Sequence, residues 1–216
     1  MGYGQASQKS TNLRRISASR GQTSAELLKR KATELRKSQT GISQVGPTEQ
    51  NVYQAQVTID DFNITKKLGE GAFGKVWLAE DKIGNLYAIK TLSKDFLRRT
   101  GKVNSVFRER DILIQNKKCR YLPRIFHSFM DEEYLYIAME YVSNGTLINK
   151  INFNPEPGLS TDATRFYAAQ IIVTLEYLQS QNVCHRDLKP GNIMIDELDY
   201  IKIIDFGEAK IIDKYE

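Results

Sequence analysis

Cys184-His185-Arg186-Asp187-Leu188-Lys189-Pro190-Gly191-Asn192, followed by Ile203-Ile204-Asp205-Phe206-Gly207, holds the densest chemistry in the chain. Asp187 stands five residues before Asn192, and Asp205 opens a turn behind the apolar run Ile201, Ile203 and Ile204. Phosphoryl transfer asks for a carboxylate that orients a hydroxyl and accepts its proton, and for oxygen ligands that hold Mg2+ on the phosphates. Asp187 suits the first task, Asn192 and Asp205 the second. Lys189 is placed to offset the negative charge that spreads over a transferring phosphate. His185 and Phe206 read as packing anchors. Each residue type alone is ordinary turn composition, so only the joint spacing is diagnostic.

Upstream, Phe62, Ile64 and Leu68 lead as a strand into Leu68-Gly-Glu-Gly-Ala-Phe-Gly-Lys-Val-Trp77, and Val76 to Ala79 continue as a second strand. A glycine loop between two strands lets the backbone approach a triphosphate closely, with loop amides donating to phosphate oxygens. A dinucleotide-binding loop would lead into a helix instead. Lys90 closes the apolar run Tyr87-Ala88-Ile89, so its ammonium is drawn to a partly buried place and requires a carboxylate there. The helix predicted after Gly101 supplies Glu109, on a face shared with Val106, Arg110, Leu113 and Ile114; local pairs with Arg108 or Arg110 are the alternative for Glu109. Thr161 to Gln179 reads as a long helix capped by Ser160 or Thr161, with Phe166, Ala169, Ile172, Val173, Tyr177 and Leu178 turned inward.

Taken together, these motifs resemble the eukaryotic protein-kinase signature. The resemblance implies an α+β, bilobal fold: a five-stranded antiparallel small lobe with one regulatory helix over residues 58–139, a hinge at 140–145, and a mainly helical large lobe over 146–216. It implies ATP and Mg2+ as cofactors, Asp187, Lys189, Lys90 and Glu109 as the catalytic set, and Asn192 and Asp205 as metal ligands. Leu68, Gly69, Glu70, Gly71, Ala72, Phe73, Gly74, Lys75 and Val76 would cover the nucleotide. Leu135-Tyr-Ile-Ala-Met139 running into Glu140-Tyr141-Val142 resembles the hinge. Backbone groups of Glu140 and Val142 would meet the adenine edge, Met139 would sit behind it, Ala88 above with Leu68 and Val76, and Met194 below. Three stretches, Val106 to Asp111, Thr164 to Leu178 and the position of His185, are most similar to the AGC group and, within it, to the 3-phosphoinositide-dependent protein kinases. That likeness implies serine/threonine specificity and protein substrates that include the activation loops of other kinases. It also implies that Arg108 and Arg186 pair with an activation-loop phosphate, and that Lys102, Val103 and Arg110 belong to a docking groove. Gly191 departs from the Glu usual in this motif, which bears on substrate choice. Nine residues follow Gly207, so the large lobe is expected to be incomplete in this chain; a non-catalytic nucleotide-binding or decoy module is the alternative.

The 216 residues, 41% apolar, suffice for one ordinary domain, and the absence of any membrane-length apolar run predicts a soluble protein. Cys119 and Cys184 lack metal-ligand spacing, and no signal-like amino terminus is present, which predicts reduced thiols and a cytoplasmic or nuclear setting. The net charge of +5 is unevenly spread: residues 1–57 hold nine Lys/Arg against three Glu, a net of +6, leaving −1 for the other 159 residues. No nucleic-acid partner is expected for that nearly neutral remainder. The basic segment is rich in Ser, Thr, Gln and Lys and reads as a tail, mostly disordered, up to Val57. Within it, Arg14-Arg15-Ile16-Ser17 resembles a phospho-acceptor for basophilic kinases. Thr23 to Lys37 reads as a short basic amphipathic helix, with Thr23 and Glu26 as a capping box. Its four apolar residues, Leu27, Leu28, Ala32 and Leu35, bury little, so contact with an anionic membrane or an acidic partner would be weak and a transient solvated helix is the alternative. No lipid anchor is expected at Met1-Gly2, since Ala6 stands where the myristoylation motif calls for Ser or Thr.

Overall fold

The computed structural model describes residues 57–71, 74–153 and 158–212, together with positions 26 and 30. The Arg14-Arg15-Ile16-Ser17 segment and loop residues Ala72 and Phe73 lie outside the described residues. In the segment expected to be helical from Thr23 to Lys37, the two described positions, Glu26 and Arg30, are helical and exposed.

Residues two apart on a strand share a face, and this alternation builds the small lobe. Strands β1 (Phe62–Gly71), β2 (Gly74–Asp81), β3 (Leu86–Ser93), β4 (Ile125–Met130) and β5 (Tyr134–Glu140) form one antiparallel sheet in the order β1-β2-β3-β5-β4. Leu92, Leu135 and Ile137 pack on one face; Tyr87, Ile89, Phe129, Tyr136 and Ala138 meet Phe62 on the other, which Val57 and Ile59 close. The Phe129 ring stacks between Phe62 and Tyr136, at centroid distances of 5.9 and 5.1 Å. Ala88 and Lys90 fall in step with Leu92 and therefore point to the first of these faces.

The β2–β3 turn is organised by Asp81. Its carboxylate accepts from the backbone N–H groups of Ile83 and Asn85, the Asn85 amide and the Tyr87 hydroxyl, all within 2.8 to 3.0 Å. These bonds, led by the Asn85 side chain, hold the Asp81 pKa down from 3.8 to about 2. A depressed folded-state pKa means that the contribution is complete above the unfolded value and disappears as pH falls through about 2. An NMR titration should therefore find the Asp81 carboxyl titrating near 2; a midpoint at 3.8 would show that the turn bonds are not kept in solution.

Two helices, rather than the one expected, lie between β3 and β4. The additional helix, α1 (Lys94–Thr100), is capped by Ser93 Oγ, which accepts from Phe96 N at 3.3 Å, and is closed by Gly101 at φ +66°. Helix α2 (Val103–Gln115) then buries Val103, Val106 and Phe107 beneath the sheet, and Ile112 and Leu113 in the core of the large lobe. Ile114, expected on the same face, is exposed: it follows Leu113 and so is turned about 100° away from it.

The large lobe holds α3 (Leu147–Asn152), α4 (Thr161–Ser180), the pair β6 (Val183–Cys184) with β9 (Lys210–Ile211), and the pair β7 (Ile193–Ile195) with β8 (Ile201–Ile203). Leu147, Tyr167, Leu178, Ile193, Ile195, Ile201, Ile203 and Phe206 form its core. Ser160 caps α4, its Oγ accepting from Ala163 N at 3.2 Å. The inward face of α4 differs from the expected one. Tyr167, Gln170, Thr174 and Leu178 point in, whereas Phe166, Ala169, Ile172 and Val173 are exposed, Ile172 to 63%. The polar members of the inward face are bonded, Gln170 Oε1 accepting from Ile201 N at 3.0 Å and Thr174 Oγ1 donating to the Gln170 carbonyl at 2.7 Å, while Tyr167 and Leu178 join the apolar core. Two polar side chains thus take core positions that an apolar count misses.

Candidate active site

The glycine segment is a hairpin. Gly69 pairs with Val76, Glu70 with Lys75 and Gly71 with Gly74, after bulges near Thr65 and Leu68. A Cβ on Gly69 or Gly71 would meet nothing within 4 Å, whereas one on Gly74 would lie 2.0 Å from the Thr91 carbonyl oxygen. Gly74 is thus required by the close approach of β3, a packing reason distinct from the phosphate approach expected of it. Gly74→Ala should destabilise the domain by about 1–3 kcal/mol, as other overpacked sites do; denaturant unfolding that shows no change would refute the contact. Glu70 and Lys75 are exposed, and the Glu70 carboxylate accepts from Lys67 at 3.0 Å.

Val76 stands opposite Lys90, and Ala88 opposite Met139, so these four share the face turned to α2. Lys90 Nζ lies 2.7 Å from both carboxylate oxygens of Glu109, with the two side chains only 17% and 8% exposed. An ammonium and a carboxylate so far from water require each other. Ala88 and Val142 are buried, Met139, Val76 and Met194 are half-buried, and Leu68 is exposed at the sheet edge. The Glu140 N–H donates to the Arg124 carbonyl at 2.8 Å, so any contact of Glu140 with an adenine edge falls to its own carbonyl. Met194 joins this strip through a bridge with Thr146.

The segment Cys184–Asn192 is held by its own polar groups. Asp187 N–H donates to His185 Nδ1 at 3.3 Å, which leaves Nε2, 3.0 Å from the Ile204 carbonyl, as the protonated ring nitrogen. Asp187 Oδ2 accepts from Lys189 Nζ at 2.7 Å and from Asn192 Nδ2 at 2.9 Å. The Lys189 bond, before that of Asn192, holds the Asp187 carboxyl below the usual carboxylate range, and Lys189 is raised in turn by Asp187 and less by Asp205. Asn192 is buried, and its amide nitrogen also faces the Asp187 carbonyl at 2.9 Å, so ligation by Asn192 falls to Oδ1. Asp205 is exposed, in the left-handed region at φ +65°, with Oδ1 accepting from Gly207 N at 3.4 Å. Behind it, Phe206 packs edge-on against His185 with centroids 4.7 Å apart. Asn192 and Asp205 are hard oxygen donors suited to Mg2+. Among the described residues no cluster of three His, Cys, Asp or Glu could hold a metal.

A protein kinase domain model matches residues 62–216. The chain belongs to the protein kinase domain family. As a kinase domain it is 39% identical over 172 residues to a serine/threonine-protein kinase of Dictyostelium discoideum, covering 77% of this chain and 12% of that protein. It is 42% identical over 158 residues to the serine/threonine protein kinase IREH1 of Arabidopsis thaliana, covering 72% and 12%. It is 40% identical over 154 residues to a human protein bearing the name 3-phosphoinositide-dependent protein kinase 2, covering 71% and 38%. The chain thus spans about an eighth of the length of the first two relatives.

Two basic groups of this kinase domain converge on the segment after Gly207. Arg108 Nη1 donates to the Ala209 carbonyl at 2.9 Å and Arg186 Nε to the Glu208 carbonyl at 2.6 Å. Lys102, expected with Val103 and Arg110 in a docking groove, pairs with Glu208 at 3.5 Å, and Val103 is buried in the small-lobe core. The cavity beside α2 is lined by Val106, Phe107, Arg110, Phe129 and Tyr136, among others; the Arg110 guanidinium lies over the Phe107 ring at 5.0 Å and pairs with Asp111. Sequence reasoning missed Lys202, a buried lysine on β8. The only signal it offered was a charge at an inward position between Ile201 and Ile203. Among the described residues no helix is long and apolar enough to cross a membrane.

Proposed function

We propose that this kinase domain transfers phosphate from ATP to serine or threonine hydroxyls of protein substrates, and that it belongs with the AGC group near the 3-phosphoinositide-dependent protein kinases. Activation loops of other kinases are the substrate class that this placement favours. The observation that carries the reading is the Asp187 carboxylate, ionised and held between Lys189 and Asn192 at 2.7 and 2.9 Å. The names of the human relative, of the Caenorhabditis elegans serine/threonine-protein kinase sgk-1 at 35% identity and of its protein kinase C-like 1 at 41% support the placement.

Bound ATP with Mg2+ would supply the transferable phosphoryl group and neutralise the charge that develops on it. Asp187 orients the substrate hydroxyl and takes its proton on the carboxylate oxygen. Lys189 leaves its bond to Asp187 to lie along the transferring phosphate. Lys90, fixed by Glu109, holds the phosphates from the small lobe, and Asn192 Oδ1 and Asp205 hold the cation from the large lobe. Leu68, Val76, Ala88 and Met194 exclude water from the adenine ring, and the Glu140 carbonyl and Val142 N–H read its edge.

Mg-ATP at a hundred times its dissociation constant should stabilise the chain by about 2.7 kcal/mol, seen as a rise in unfolding temperature. Incubation of the protein carrying this chain with Mg-ATP and a serine peptide should yield phosphoserine by mass spectrometry. No thermal shift and no incorporated phosphate would overturn the reading.

A further inference from the structure

Lys202 is a buried ammonium, 8% exposed, that the phosphoryl-transfer reading does not use. It lies on β8, opposite Met194 of β7. Its Nζ is 2.8 Å from Glu140 Oε1 and 3.0 Å from Oε2. Oε2 also accepts from Arg124 N at 3.1 Å, and Glu140 N–H donates to the Arg124 carbonyl at 2.8 Å. One residue beyond Lys202, Ile203 N–H donates to the Tyr121 carbonyl, again at 2.8 Å. The connection that enters β4, the first hinge residue and β8 of the large lobe are therefore tied together at one place.

Desolvating the Lys202 ammonium offsets much of its attraction to Glu140, so the net stability from such a pair is small; the geometry of its bonds bears on orientation instead. A carboxylate that accepts from two different segments can adopt few rotations, and its backbone turns with it. We propose that the Glu140–Lys202 pair is a positioning latch: it fixes the hinge backbone against β8, presetting the Glu140 carbonyl and Val142 N–H for an adenine edge with Met194 beneath it. Both are positioning residues, acting through the backbone and not on the nucleotide. Since β8 runs on to Asp205, the latch also fixes the hinge relative to the metal-binding carboxylate. The inference rests on the nucleotide-site reading given above.

The test compares wild type, Glu140→Gln, Lys202→Met and the double variant of this chain. Three quantities are read: the Mg-ATP dissociation constant by calorimetry, the unfolding midpoint without nucleotide, and amide exchange at residues 141–144 without nucleotide. Glu140→Gln leaves the buried Lys202 ammonium unpaired and risks not folding, whereas Lys202→Met leaves a Glu140 carboxylate that is 29% exposed; the double leaves no charge and retains an acceptor for Arg124 N. The double should keep a midpoint close to wild type, exchange faster at the hinge and bind Mg-ATP roughly two- to thirtyfold more weakly. Each folded single variant should weaken binding too, and the double no further than the worse of them. A double variant with unchanged hinge exchange and equal or tighter Mg-ATP binding overturns the latch and leaves a pair that only packs. A wild-type chain that binds no nucleotide overturns the nucleotide reading instead, and hinge exchange then still decides whether the pair holds the backbone.

Discussion

Asp187→Asn should lower phosphotransfer by about a hundred- to ten-thousandfold while leaving Mg-ATP affinity nearly unchanged. The asparagine keeps an oxygen for the Lys189 and Asn192 bonds, now 2.7 and 2.9 Å long, so the segment has no reason to refold. What it lacks is a site for the proton of the attacking hydroxyl. Before nucleotide binds, Lys189 holds the Asp187 carboxyl below its ordinary value, so the base is already ionised at neutral pH and is lost only as the pH falls into the acid range. Turnover measured beside calorimetric nucleotide binding separates the two effects. Loss of binding with the substitution would assign Asp187 to holding the nucleotide rather than to the proton.

Phe206→Ala should cost about 3–5 kcal/mol of stability, as truncation of a fully enclosed aromatic ring does. The ring is 0% exposed and lies edge-on to His185, whose Nε2 binds the carbonyl of Ile204, two residues before Phe206. That carbonyl precedes Asp205, whose φ of +65° is a conformation that its surroundings must impose. Removing the ring therefore loosens the Asp205 carboxylate as well as the core. Phe206→Leu keeps most of the volume and should lose less than about 1.5 kcal/mol. Denaturant unfolding of the two variants checks this, and an alanine variant as stable as the leucine one would contradict the enclosure of the ring.

Residues whose chemistry depends on spacing along the chain were legible before any coordinates. Asp187, Lys189 and Asn192 meet within one turn, so their order alone brings them together. Lys90 and Glu109 were legible because a buried lysine needs a carboxylate and the following helix offers few. The α4 face was not. Its inward stripe runs through Gln170 and Thr174, and Gln170 accepts from Ile201 N of β8, a partner that no pattern within the helix announces. Helix α1 was overlooked although Ser93 and Gly101 bracket it with an ordinary cap and stop. Lys202 was hard to read for a third reason: its partner is 62 residues away, at the end of β5.

Helix α2 carries one further consequence. Val106 and Phe107 are embedded in the small-lobe core and Ile112 and Leu113 in the large-lobe core, where Leu122 joins them. The place where the chain hinges is therefore not the place where it would come apart. A fragment cut at the hinge would carry Ile112, Leu113 and Leu122 into water, at about 1.5–3 kcal/mol for each side chain so exposed. The two lobes should melt in a single cooperative transition, as one thermodynamic unit jointed in the middle.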